Sequence, residues 1–163
     1  MTVSVLFVCM GNICRSPTAH AVFRDKIRSA LLEEEIKIDS AGTHGYHVGS
    51  RADARAIQTA LVRGVDMTDL RARKVLEEDF YKFDHVVAMD FENLELLTIS
   101  CPKSKQDRLS LMLDWTEGWG REVPDPYYGG ETGFKRVFDM VASASEGLLD
   151  YLCQKHKIGD PHL

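Results

Sequence analysis

A chain of 163 residues, 44% hydrophobic and 28% charged, has the size and composition of one globular domain. Twenty Lys and Arg against 25 Asp and Glu leave a net charge of −5, which argues against a general nucleic-acid or anionic-membrane binder while leaving room for a local anion site. No apolar run approaches the roughly 20 residues that cross a bilayer, no basic region precedes the apolar N-terminus, and Cys9, Cys14, Cys101 and Cys153 are too scattered for a disulfide framework, so a reducing cytoplasm is the expected compartment.

No repeat, low-complexity tract or linker divides the chain, and residues 1–163 are expected to form a single domain. The run Val3, Val5, Leu6, Phe7, Val8 is short and β-branched, as a buried parallel strand would be. It meets a Gly-Asn turn and restarts at Ser16-Pro17, where proline suits the first turn of a helix. Ala21, Val22, Ile27 and Leu31 then keep helical spacing. Ile36 to Ser40 reads as a second strand ending at Ala41-Gly42, and Asp53 to Arg63 as a helix stopped by Gly64. His85 to Met89 reads as a third strand, followed by a helical stretch through Leu97. Leu109 to Leu113 is expected to be a fourth strand. The last helix is expected from about Thr132 to Lys155, with Phe134, Val137, Phe138, Val141, Leu148 and Leu152 facing the core. This alternation predicts a three-layer α/β sandwich with a parallel sheet and right-handed crossovers. Ligands in such folds sit beyond the carboxyl ends of the strands, and the loop after the first strand falls there.

That loop reads Cys9-Met10-Gly11-Asn12-Ile13-Cys14-Arg15-Ser16 and joins a strand to a helix N-terminus. Each part suits a phosphate dianion. Successive backbone N–H groups in a tight turn form an anion nest, and the helix dipole adds positive potential. Gly11 permits close backbone approach, Asn12 tolerates a left-handed conformation, and the planar fork of Arg15 can clamp two phosphate oxygens. A cysteine among such donors is expected to be a thiolate, to which Ser16 can donate a hydrogen bond. A structural cysteine beside an arginine paired with a carboxylate is the plainer alternative, and the strand–loop–helix context weighs against it. A Walker-type loop is not supported because no Gly-Lys-Ser/Thr follows. Zinc is not expected, since Cys9 and Cys14 lack a second ligand pair at metal spacing.

From LFVCMGNICRSP onward the chain resembles the low-molecular-weight protein tyrosine phosphatases. The likeness continues through Asp39-Ser40-Ala41-Gly42-Thr43, His47-Val48-Gly49 and the segment Phe83 to Asp90. It ends with Pro124-Asp125-Pro126-Tyr127-Tyr128-Gly129-Gly130 and the helix after it. These landmarks stand in family order over nearly the whole length. The family fold, a four-stranded parallel sheet with helices on both faces, agrees with the reading from periodicity. The resemblance implies a phosphotyrosine-containing protein as substrate, with neither cofactor nor metal.

Phosphate-monoester hydrolysis needs a nucleophile, charge stabilisation and help for the leaving group. Cys9 is the expected nucleophile, with Arg15 and the amides of Met10 to Ser16 holding the phosphoryl oxygens. The resemblance assigns the leaving-group proton to Asp125 and places at least one of Tyr127 and Tyr128 in a deep cleft, stacked on the substrate ring opposite Tyr46. It also implies that Asn12 and Ser40 fix the loop by hydrogen bonding and that Cys14 protects Cys9 through a reversible disulfide. Two departures from the family pattern stand out. A histidine common before the Ala72-Arg73 equivalent is missing, the segment reading Asp69-Leu70-Arg71, and the proline-rich turn after Val48-Gly49 has become Ser50-Arg51-Ala52-Asp53-Ala54. His44 and His47 are expected on the surface, His20 and His85 as locally bonded histidines, and Arg71, Arg73 and Lys74 as a solvated basic face. Three alternatives remain at this level. They are a thioredoxin-linked arsenate reductase using Cys101, a protein arginine phosphatase (disfavoured by Ile13 where that group carries threonine), and a non-catalytic phosphopeptide-binding module. The pattern leaves the oligomeric state open.

Overall fold

In the computed structural model, which describes residues 2–127 and 129–159, strands and helices alternate as the periodicities require. The strands are β1 (Val3–Cys9), β2 (Ile36–Gly42), β3 (His85–Ala88) and β4 (Leu109–Leu111). The helices are α1 (Arg15–Ser29), α2 (Ala54–Val62), α3 (Asp79–Lys82), α4 (Phe91–Ser100) and α5 (Glu131–His156). All strand pairs are parallel in the order β2-β1-β3-β4, with Val3 opposite Ile36 and Val5 opposite His85. Strand order reverses between β1 and β3, so β1 opens onto the crevice at the switch point.

Period-two alternation along β1 divides the core in two. Val3, Val5, Phe7 and Cys9 face one way, into a cluster with Phe23 and Ile27 of α1 and Val137, Val141 and Leu148 of α5. Leu6 and Val8 face the other way, with Val86, Ala88, Phe80, Leu97 and Leu111 beneath α3 and α4. Phe7 and Phe23 meet edge to face at 5.6 Å between ring centroids. Helix starts follow side-chain chemistry. Asp53 caps α2 through Arg55 N–H, and Asp90 forms a reciprocal capping box with Asn93 at the start of α4.

The fourth strand is shorter than its apolar run suggests. It ends at Leu111 because Asp114 Oδ2 accepts from Leu111 N–H at 3.0 Å and turns residues 112–115 into a 3₁₀ helix. Met112 and Leu113 are still buried, so apolarity there reports burial rather than strand. The short α3 and the 3₁₀ turn at 103–108 carry no strong periodic signal and are absent from the sequence reading.

Candidate active site

The loop from Cys9 to Ser16 runs from the end of β1 into α1, and its outward-facing carbonyls are occupied. Thr43 N–H donates to Cys9 O at 2.9 Å, His44 N–H to Met10 O at 3.0 Å, and Asp53 N–H to Ile13 O at 2.8 Å. The carbonyl of Cys14 accepts from Thr18 Oγ1 at 2.6 Å. In a trans peptide the following N–H points opposite to the C=O. Amides of Met10, Gly11, Cys14 and Arg15 are therefore turned from these partners toward the hollow of the loop. Asn12 lies at φ 57°, the left-handed step that closes the nest.

Cys9 is 2% exposed and its Sγ lies 3.1 Å from Ser16 Oγ. Asn12 Nδ2 donates to the same oxygen at 2.7 Å. An amide nitrogen only donates, so Ser16 accepts there and keeps its own proton for Cys9 or for Ala41 O at 3.4 Å. Arg15 is aimed from below. Its Nη1 donates to Asp90 Oδ2 at 2.6 Å and to Val123 O at 3.0 Å, while Nη2 stands 3.7 Å from Asp125 Oδ2. Burial opposes the Arg15 charge, but the charges of Cys9, Asp90 and Asp125 and the bond to Asp90 leave its pKa raised. Cys14 has the opposite fate. Burial, then the charges of Asp53, Cys9 and Asp125, push its thiol well above the ordinary range.

A cleft of about 330 Å³ opens over the loop, walled by Tyr46, His47, Asp125 and Tyr127 and floored by Cys9, Gly11, Ile13 and Arg15. Arg55, paired with Asp53, lies 5.4 Å from the Tyr127 ring centroid and backs that wall. Asp125 is 40% exposed and accepts from Tyr127 N–H at 3.0 Å. Tyr46 stacks on His44 at 5.1 Å. Tyr128 lies outside the described residues.

Three placements differ from the sequence reading. His47 is a cleft residue rather than a surface one, packed so closely on the loop that a Cβ at Gly11 would stand 3.0 Å from its Cδ2. Asn12 and Ser40, expected to fix the loop together, have separate partners, and that of Ser40 lies on α1 rather than in the loop. Asn12 Oδ1 accepts from Arg73 N–H at 3.0 Å, and the Ser40 hydroxyl meets His20 Nδ1 at 3.0 Å. Sequence reasoning also missed Asp90, the N-cap of α4, whose helix-start signature could have marked it but not its reach to Arg15.

A doubly wound parallel sheet that carries a cysteine and an arginine on the loop after its first strand is an arrangement suited to holding an anion, as in α/β proteins of the phosphatase type. A family model described as low molecular weight phosphotyrosine protein phosphatase matches residues 4–158, and the chain belongs to that family. It is 40% identical over 149 residues to the low molecular weight phosphotyrosine protein phosphatase of Schizosaccharomyces pombe, covering 90% of this chain and 95% of that one. Against the low molecular weight protein-tyrosine-phosphatase YfkJ of Bacillus subtilis it is 39% identical, covering 95% and 98%. The crystal structure of a protein tyrosine phosphatase from Entamoeba histolytica superposes with a TM-score of 0.90 at 41% identity, covering 96% of this chain and 100% of that one. Among the described residues no helix is long and apolar enough to cross a membrane.

Proposed function

We propose that the protein hydrolyses phosphotyrosine in proteins, and small aryl phosphates, through a cysteinyl-phosphate intermediate and without a metal. The observation that carries this reading is that Cys9 and Arg15 line the floor of one cleft together with Asp125, with the buried Ser16 Oγ 3.1 Å from Cys9 Sγ. In the first step the Cys9 thiolate attacks phosphorus in line with the ester oxygen. The P–O bond breaks as Asp125 gives its proton to the departing phenolate. Arg15 and the loop amides hold the three equatorial oxygens, where charge is spread in the transition state. In the second step the carboxylate of Asp125 takes a proton from water, which attacks phosphorus. Phosphate is released and the Cys9 thiolate returns, with the Ser16 hydroxyl easing its departure.

A cleft walled by Tyr46 and Tyr127 suits an aromatic ester. A deep cleft, as the family resemblance implies, would favour the longer reach of phosphotyrosine over phosphoserine. Cys101 ends α4 in the cluster beneath α3 and α4, and Cys153 lies on α5, which gives an arsenate-reductase relay no support. The protein is read as cytoplasmic.

The test is Cys9→Ser with a radiolabelled aryl phosphate. Turnover and burst-phase phosphoenzyme are expected to vanish, while vanadate still binds because the amides and Arg15 remain. A substantial phosphoenzyme burst in the variant refutes the assignment. EDTA is expected to leave the rate unchanged, and activity lost on chelation and restored by a metal ion refutes the metal-free step.

A further inference from the structure

Asn12 holds a left-handed backbone conformation that costs an L residue energy unless its surroundings enforce it. Enforcement comes from 61 residues away, where Arg73 N–H donates to Asn12 Oδ1 at 3.0 Å. The backbone of Arg73 is itself tied to the end of β2. Gly42 N–H donates to Arg73 O at 2.8 Å, and Val75 N–H to Gly42 O at 2.9 Å. The side chain then closes a clamp. Its Nη1 and Nη2 donate to Asp79 at 2.9 and 3.1 Å, and its Nε donates to Asp39 at 3.1 Å. Asp79 is 3% exposed and also accepts from Leu76 N–H at 2.8 Å. Burial works against the Arg73 charge, and the bonds and charges of Asp79 and Asp39 more than offset it. Desolvating a carboxylate this far is costly, and the solvated basic face expected from sequence has no use for it.

We propose that Arg73, clamped by Asp79 and Asp39, is a positioning residue of the reaction. It sets its own backbone N–H against Asn12 and, through Asn12 and Ser16, aims the hydroxyl that meets Cys9 Sγ. The proposal rests on the reading of Cys9 as nucleophile.

The experiment compares Arg73→Met, Asp79→Asn and Asn12→Ala in the full chain. It measures kcat and KM on an aryl phosphate and the pH profile of Cys9 alkylation by iodoacetamide, followed on the Cys9 peptide by mass spectrometry. Each variant is expected to lower kcat by about ten- to a hundredfold with KM nearly constant, the scale of a small misplacement at the reacting centre. Each also moves the alkylation profile in the same direction. In an Asn12→Ala background the other two substitutions are expected to cost little more, because all act through one contact. Losses that multiply instead, or a lower Tm with kcat and alkylation unchanged, overturn the proposal and leave Arg73 a packing residue. Asp79→Asn is isosteric and can still accept from Leu76 N–H, so it carries the comparison if Arg73→Met fails to fold. Cys9→Ser run alongside separates the two readings. Turnover in it refutes the nucleophile, whereas its silence together with unchanged kinetics in Asp79→Asn refutes the clamp.

Discussion

The two loops that meet over the cleft are held in different ways. The loop from Cys9 to Ser16 is fastened by partners distant in sequence, through Thr43, His44, Asp53, Arg73, Asp90 and Val123, and its cysteine and arginine are almost wholly buried. The loop from Pro124 to Gly130 is anchored at its start by Val123 N–H donating to Met89 O at 2.8 Å. Beyond that, Tyr127 N–H donates to Asp125 and Gly129 N–H to Pro126 O. Asp125 stays 40% exposed, and the loop's more distant contacts include its 3.7 Å approach to Arg15 and the Arg55 guanidinium beside the Tyr127 ring. On the proposed reading the first loop would present donors to a dianion without reorganising, which favours a rigid, desolvated frame. On the same reading the second loop would admit a protein side chain, deliver a proton and let phosphate leave, which favours exposure. The proposed binding and proton-delivery roles would then fall to two segments that meet where Arg15 donates to Val123 O and stands 3.7 Å from Asp125.

That division predicts different kinetic signatures. Arg15→Lys is expected to lower kcat/KM by about 10³-fold on phosphotyrosine and on nitrophenyl phosphate alike, because an ammonium cannot reproduce the planar fork. Asp125→Asn is expected to cost roughly two to four orders of magnitude on phosphotyrosine, whose phenolate has a pKa near 10, and much less on nitrophenyl phosphate. The measurement is a plot of log kcat/KM against leaving-group pKa. A steep slope in Asp125→Asn alone upholds the comparison, and parallel slopes in all three proteins break it. Gly42→Ala sharpens it further. A Cβ there would stand 2.8 Å from Met10 O and 3.0 Å from His44 O, both backbone atoms. The phosphate loop must shift, with a loss of about tenfold in kcat that is independent of leaving group and about 1–3 kcal/mol of stability.

Acid should weaken the frame of the buried loop ahead of general acid unfolding. Burial, opposed in part by the charge of Asp39, lowers the His20 pKa to about 4, so the histidine against Ser40 is neutral in the fold. The unfolded chain binds a proton near pH 6.5 that the native state refuses. Stability is therefore full above pH 6.5 and falls as the pH drops toward 4, by something on the order of 2–3 kcal/mol from this group. Asp53, Asp66 and Asp69, whose pKa values are lowered mainly by hydrogen bonds, lose their stabilising contribution only at still lower pH. Urea midpoints of wild type and His20→Gln between pH 7 and 4.5 measure this. Equal acid losses in the two proteins exclude His20 as the cause.

The smallest effect concerns repair. Peroxide is expected to convert Cys9 to a sulfenic acid, which condenses with the Cys14 thiol, releasing water and forming a disulfide that added thiol reduces. The buried, raised-pKa Cys14 makes this closure slower at neutral than at alkaline pH. Cys14→Ser is expected to regain a smaller fraction of its own starting activity after thiol treatment. Recovery as complete as wild type removes the protective role.

Local chemistry makes much of the molecule legible in its sequence. Strand β1 is written in β-branched residues, α1 begins at a Ser-Pro signal, and the cysteine-to-arginine spacing is contained within seven residues of one loop. The resemblance carried Asp125 and Tyr46 into the cleft, and both line it. Pattern failed where one signal serves two ends. The apolar run from Leu109 to Leu113 is buried throughout its second half, yet Asp114 turns that half out of the sheet. What the sequence by itself determined was therefore the order of elements and the loop's residue types, because each depends on patterns a few residues apart, and the parallel sheet followed from the β-α alternation that those elements make. Only the tertiary structure decided that Asp90 grips Arg15, that His47 closes the cleft and that a backbone N–H at Arg73 holds Asn12. Those contacts join residues 75, 36 and 61 positions apart, and which of many carboxylates or imidazoles arrives at a given donor is set by how the layers pack rather than by any local periodicity.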